Sequence, residues 1–322
     1  MMSKNQSQQT STPKNIREGI DLDLAELLQA NLPNYQINAR KKLKSRAAQS
    51  GEIHSRFRGQ GMEFEEVRSY FPGDDIRNID WRVTARTGKP HTKVFRDDRE
   101  QLVFAVLNQD KRLFFGSQQA LKSVTGAKLI ATLLSDARAK GHRCGAFLYD
   151  ESGHQEFKPS TERANLTHII GQITQAHNDK VATIEKTGFH NLEKPGVHLP
   201  KTLQRLLKVA RSGSQIHIIS DVLPDDEAIW TPLAMLARHS QLQYYCLVDA
   251  LDWKLPSHGS LAITDGLDNS QLYMSETGSN AYLDAFQKHA LNIRTKVWNL
   301  GGEIHFIGPL PEHLRELLSR KG

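Results

Sequence analysis

The sequence predicts an α/β fold: a mostly parallel sheet with helices on both faces, preceded by an Arg-rich N-terminal segment. Three observations predict it. From residue 101 onward, short apolar runs of strand type alternate with longer stretches of helical periodicity. Those apolar runs, such as LVFAVL and QIHIIS, are near-continuous rather than alternating, which is the pattern of strands covered on both faces. With 322 residues, 38% hydrophobic and 24% charged, the chain is long enough to bury such a core without disulfide or metal staples.

The elements follow in order. Residues 1–19 are rich in Ser, Thr, Asn and Gln and read as a disordered tail. Leu22, Leu24, Leu27 and Leu28 recur near helical spacing, so a helix is expected over 21–47, ending in the basic run Arg40–Arg46. Residues 20–100 then form an N-terminal helical and Arg-rich segment, and 101–322 the α/β domain. In that domain Gln101–Leu107, Arg143–Tyr149, Gln215–Ser220, Gln241–Val248 and Glu303–Ile307 read as strands. Between and after them, Ala120–Lys140, Thr161–Ala176, Leu199–Arg211, Asp225–His239, Ser279–Leu300 and Glu312–Arg320 read as helices.

Charge and cysteine usage narrow the function classes. The net charge of +6 divides as +4 over residues 1–50 (eight Lys/Arg, four Asp/Glu), zero over 51–100 (ten of each) and +2 over the rest. The excess therefore sits mainly in residues 40–46. Such a run reads first as a solvated helix face, next as a surface for an acidic partner and last as a nucleic-acid contact. Cys144 and Cys246 are expected to be buried, reduced thiols of a cytoplasmic protein. No stretch approaches the roughly 18 apolar residues of a membrane span, and the N-terminus lacks the apolar core of a secretory signal.

Motifs for catalysis are scarce. Gly116–Ser123 nearly matches the phosphate loop G-x-x-x-x-G-K-[ST], but Leu121 replaces the second glycine and obstructs the backbone wrap around phosphate. No HExxH, CxxC, EF-hand loop or G-x-S-x-G elbow is present. Two loops at carboxyl ends of predicted strands are suggestive, Asn108–Ser117 and the one beginning at Asp221, because open α/β sheets bind ligands there. Residues 51–100 stand apart: eight of their ten basic residues are Arg, interleaved with Glu65, Glu66, Asp74, Asp75 and Asp80. Arg forms planar bidentate pairs with carboxylates, so a structural ion-pair network is the leading reading. A metal-dependent hydrolase using those acids is the alternative, and nucleic-acid binding through 40–46 a second alternative.

Arg68, Tyr70, Gly73, Asp74, Arg77, Ile79, Asp80, Trp81, Ala85 and Arg86, followed by Lys93 and Phe95, match the pattern R-x-Y-x-x-G-D-x-x-R-x-I-D-W-x-x-x-A-R with its trailing strand. In this the chain resembles the family catalogued as domain of unknown function 58. The resemblance implies a von Willebrand factor A-like α/β domain with no established enzyme activity. It also implies an adaptor or chaperone-like role beside a MoxR-type AAA+ ATPase. A-type domains often hold Mg²⁺ on a D-x-S-x-S loop, a Thr from a second loop and an Asp from a third. Carried onto this chain, those positions fall on Asn108, Asp110, Arg112, Val197 and Asp221, of which only Asp221 keeps its ligand. No metal is therefore expected; Arg112 would stand where the ion stands, paired with Asp110 or Asp221. Lys111 and Arg112 become the candidates for gripping a partner's carboxylate. Asp80 and Trp81, flanked by Arg77 and Arg82, are expected to form a buried ion pair under an indole.

Overall fold

In the computed structural model the described residues are 17–29, 62–71, 74, 76–97, 100–189, 198–221, 226–264 and 269–319. The basic run 40–46, residues 1–16 of the expected tail, and Gly73, Asp75 and Val197 lie outside them. The chain divides into two compact units, one of residues 1–33 with 102–322 and one of residues 34–101.

In the larger unit the six-stranded sheet contains β3 (Leu102–Asn108), β4 (Arg143–Asp150), β5 (Gly153–Ser160), β6 (Gln215–Ser220), β7 (Gln241–Leu247) and β10 (Glu303–Ile307). Their spatial order is β10-β7-β6-β3-β4-β5. All neighbours are parallel except β4 and β5, which pair antiparallel at one edge. This is a doubly wound order whose reversal lies between β3 and β6.

Both faces of β3 are buried. Val103, Ala105 and Leu107 belong to one core with α3 (Lys122–Ala139), α4 (Arg163–Thr187) and α1 (Leu24–Gln29). Phe104 and Val106 belong to the other, with α5 (Leu199–Val209), α6 (Glu227–Ala237), α8 (Glu276–Asn299) and α9 (Glu312–Ser319). Double-sided burial is why the strand reads as an unbroken apolar run. Gly126 lets α3 lie close on the sheet: a Cβ there would stand 3.0 Å from Leu247 and 3.2 Å from Leu107. Cys144 and Cys246 are both buried and free.

Several elements differ from expectation. Helix α4 runs on to Thr187 because Ile173, His177 and Val181 continue its buried stripe; a histidine holds one of the core positions. Strand β5 was not legible because Phe157 is its one fully buried residue, and Pro159 near its end suits an edge strand. The short helix α7 (Ala250–Trp253) and the hairpin of β8 (Ser260–Thr264) and β9 (Asn269–Tyr273) were also unforeseen.

Residues 17–29 are built into this unit rather than into the Arg-rich segment. Leu121 N–H donates to Gly19 O at 2.9 Å, and the Asn178 side chain closes two bonds of 2.9 Å with the Leu22 backbone. His177 Nε2 donates to Ile20 O at 2.7 Å. Leu22 and Leu27 are buried in the core beside α3 and α4. Residues 17–19, expected as tail, are thus ordered.

The smaller unit is an antiparallel hairpin of β1 (Met62–Ser69) and β2 (His91–Asp97). Between its strands lie a 3₁₀ turn, Ile76–Asn78, and the helix α2 (Trp81–Thr87). Tyr70 N–H donates to Pro90 O at 2.9 Å and Asp80 N–H to His91 O at 2.8 Å, which ties this excursion back to the hairpin. Among the described residues no helix is long and apolar enough to cross a membrane.

Candidate functional site

Where the strand order reverses, the chain leaves β3 toward α3 on one face and β6 toward α6 on the other. That divergence places Asn108 and Ser220–Asp221 side by side at the carboxyl ends of two neighbouring strands. Asp110 N–H donates to Asn108 Oδ1 at 2.8 Å. A backbone N–H can only donate, so the other end of the amide is Nδ2, which donates to Ser220 Oγ at 3.0 Å. Tyr149 donates to the same hydroxyl at 3.3 Å, and Ser220 passes its proton toward Asp221 Oδ1 at 3.4 Å. The Tyr244 hydroxyl donates to Asp221 O.

Burial pushes the Asp221 carboxyl up, the Lys122 charge pulls it back, and Asp252 pushes it up again. Lys122, the first residue of α3, is 9% exposed, and its Nζ lies 2.6 Å from Asp252 Oδ2. Burial works against this ammonium, but Asp252 outweighs it and Asp221 adds to the hold, so its pKa stands above the ordinary value. The largest opposite charge acting on Asp221 is therefore Lys122; the sequence reading placed Arg112 beside either Asp110 or Asp221.

The near-match to a phosphate loop has an internal use. Ser117 donates through its N–H (2.9 Å) and its hydroxyl to Asp249, while Lys122 reaches Asp252. Asp249 caps α7, accepting from Leu251 N–H at 3.0 Å, and Asp249 N–H returns to Asp252 Oδ2 at 2.7 Å. A Cβ on Gly116 would stand 2.3 Å from Ala120 O, so the loop closes on itself and not around a phosphate.

The loop after β3 is pinned as well. Lys180 Nζ donates at 2.8 Å to each of Gln109 O, Asp150 Oδ2 and Glu151 Oε2. Lys111 N–H donates to Glu151 Oε1. Lys111 and Arg112, in a short 3₁₀ turn, are partly buried. Burial raises the Asp150 carboxyl, but the Lys180 and Ser152 hydrogen bonds outweigh it and hold it below the usual range.

The described residues at this end are a poor match to the all-oxygen shell of a divalent cation. An ammonium sits against Asp252 and acts on Asp221, and Asn108 presents a donor where the ion needs an oxygen. Among the described residues no three His, Cys, Asp or Glu side chains form a group that could hold a metal. The thiol at this end is also unsuited to attack, since burial raises Cys246 far above its ordinary pKa.

In the smaller unit the Arg68 guanidinium makes a two-pronged bond to Asp74, 2.8 Å on each side, and lies 5.5 Å from the Phe71 ring. Asp74 Oδ2 also accepts Phe71 N–H at 2.9 Å. Asp80 is not part of a buried ion pair. It caps α2, accepting from Arg82 N–H at 3.0 Å and Val83 N–H at 3.1 Å, with Lys93 Nζ at 3.8 Å. Those backbone donors hold its carboxyl below the usual range, and they replace the Arg partners that the sequence suggested. Trp81 is 67% exposed, so no indole covers the pair; Arg77 and Arg86 are exposed too. The side chains of Glu65 and Glu66 lie outside the described set. Asp74 and Asp80 are each engaged locally, Asp74 by Arg68 and Phe71 N–H and Asp80 by the first turn of α2.

A family profile described as "Protein of unknown function DUF58" matches residues 66–296. The chain is similar to the uncharacterized protein Rv1480 of Mycobacterium tuberculosis, 29% identical over 210 residues, which covers 64% of this chain and 61% of that protein. It is also similar to the uncharacterized protein YeaD of Bacillus subtilis, 27% identical over 168 residues, covering 51% of this chain and 38% of that protein. The chain therefore spans less than two thirds of the length of these relatives. Among solved structures it is similar to the SpRpn10 VWA domain, with a TM-score of 0.29 and 7% identity, covering 68% of this chain and 94% of that one.

Proposed function

This chain belongs to the DUF58 family, and from that premise we propose a non-enzymatic protein-interaction module that works with a MoxR-type AAA+ ATPase in the maturation of proteins or complexes, in the cytoplasm and without a metal cofactor. One observation carries the non-enzymatic part. At the strand-end crevice, where an open α/β sheet would place its chemistry, Lys122 is committed to Asp252, Ser117 to Asp249, and Asn108 to Ser220. Groups engaged in this way are committed to the protein's own side chains, which favours recognition over catalysis at this crevice. The ATPase partner rests on the family resemblance.

Recognition through the edge that follows β3 is part of this reading. Lys111 and Arg112, both partly buried, would bring positive charge to that edge for an acidic partner. The test is capture of the tagged full chain from a native lysate, with the captured ATPase identified by mass spectrometry and its affinity then measured. An AAA+ ATPase is expected, and Lys111→Glu with Arg112→Glu, in a protein shown to be folded, should weaken its binding at least tenfold. Absence of any AAA+ ATPase would remove the partner from the reading. Binding unchanged within the ~1 kcal/mol of a rim contact would remove the edge.

A further inference from the structure

The signature turn of the smaller unit presents more bare apolar surface than any other stretch of comparable length among the described residues. Phe71, Ile76 and Trp81 are 63%, 64% and 67% exposed, three of the four most exposed large apolar side chains described. They are not loose. The Arg68–Asp74 fork fixes the backbone at Phe71, the 3₁₀ turn sets Ile76, and the Asp80 cap starts the helix that carries Trp81. The charged residues of the signature thus act as the frame of a turn whose apolar residues face solvent. Large apolar side chains held in place before contact lose little freedom on binding, and aromatic anchors beside Arg are the usual composition of an energetic hot spot.

We propose that the exposed side chains of Phe71, Ile76 and Trp81, with Arg82, Arg86 and Lys89, form a docking surface for an acidic segment of a partner protein that carries apolar side chains. This rests on the interaction-module reading above and gives it a second surface and a partner chemistry. Charge selects the occupant. Arg82, Arg86 and Lys89, which follow Trp81 in the chain, are exposed. From residue 71 to 89 the sequence has four Lys/Arg against three acids; of those acids Asp74 is taken by Arg68, and Asp80 is turned to the helix N–H groups near Lys93. A second copy would bring the same cationic face, and the chain's own run 40–46 is itself basic, so like charge opposes both. Single-stranded nucleic acid would find one stacking platform, Trp81. Ile76 has no π face, and the Arg68 guanidinium already lies over Phe71.

The experiment selects binders to the immobilised full chain from a random dodecapeptide phage library. Trp81→Ala and the pair Arg82→Glu, Arg86→Glu, each shown to be folded by circular dichroism, are run in parallel. Peptides rich in Asp and Glu with interspersed Leu, Phe or Trp should enrich on the native chain. A synthetic peptide of the selected sequence should bind saturably, weaken at least tenfold in either variant, and weaken as salt is raised. A 20-nucleotide oligo-dT serves as the competing probe. Enrichment without acidic character, equal binding to native chain and variants, or tighter binding of oligo-dT that depends on Trp81 would each overturn the proposal. Equal enrichment on chain and variants would still leave the interaction reading standing. Failure of the ATPase capture would remove that partner without touching this surface.

Discussion

His217 on β6 shows how a single side chain reports on the fold. Tyr245 gives its one hydroxyl proton to Gln243 Oε1 at 2.6 Å, so at 3.3 Å from His217 Nδ1 it accepts, and the ring carries its hydrogen there. Burial, with the nearby His305 and Lys140, draws the His217 pKa from 6.5 to about 4. The unfolded chain therefore takes up a proton near pH 6.5 that the folded chain refuses until about pH 4. The stability gained from a neutral His217 is complete above 6.5 and is lost as pH falls through that window, by about 3 kcal/mol in all. His177 is lowered by burial too and adds in the same direction, so the measurement is a difference. Melting temperature followed from pH 7 to 4.5 should fall more steeply in the native chain than in His217→Gln. Parallel curves would show that His217 is not held neutral. Nothing in the sequence marked this residue: a histidine within QIHIIS reads equally as packed or exposed, and burial came from strand neighbours distant in sequence.

At the scale of elements, two short pieces of chain join the loop before α3 to the start of α7. Asp249 accepts from Ser117 N–H, Ser117 Oγ and Leu251 N–H and is itself 4% exposed. Asp249→Ala would strand those donors. At roughly 1–3 kcal/mol for each buried group left unmade, the cost should reach several kcal/mol. Asp249→Asn keeps an acceptor oxygen and should cost less. Urea denaturation should show a lowered midpoint with unchanged slope; an Ala variant as stable as the native chain would mean that the two loops are not joined through this carboxylate. The cap on α2 is legible by comparison. Asp80 precedes the helix directly and accepts from N–H groups within three residues, so the acid that the sequence singled out caps α2 instead of pairing with arginines. The Ser117–Asp249 link spans 132 residues, and no local pattern announces it.

For the whole molecule, the sheet order sets the charge at the strand-end crevice. The order brings β3 beside β6 and so brings Lys122, Asp221 and Asp252 into one electrostatic cluster. A bound cation would have to displace or deprotonate an ammonium whose pKa its acidic neighbours already raise. Isothermal titration of the full chain with Mg²⁺ or Mn²⁺ should therefore give no saturable heat in the micromolar range. Saturable heat abolished by Asp221→Ala would revive a metal-dependent recognition edge.

The sequence by itself determined what depends on neighbours in the chain. The five strands of the parallel array are local apolar runs and six of the helices local periodicities, so their type was readable from residue 101 onward. Arg68 and Asp74 stand six residues apart, a local pairing of the kind that arginine beside acid suggests, whereas Asp80 is held by backbone N–H groups. The tertiary structure decided what depends on which strands meet. It set the order β10-β7-β6-β3-β4-β5, made Lys122 the largest opposite charge on Asp221, and drew residues 17–29 into the larger unit. It also left Trp81 in solvent, which composition cannot foretell: apolar atoms make up much of any folded surface, so an indole is not buried by being an indole. The physical reason is range. Backbone hydrogen bonding and side-chain periodicity act over a few residues and leave their mark on the sequence, whereas burial and charge at a crevice are set by segments a hundred residues apart that meet only once the sheet has formed.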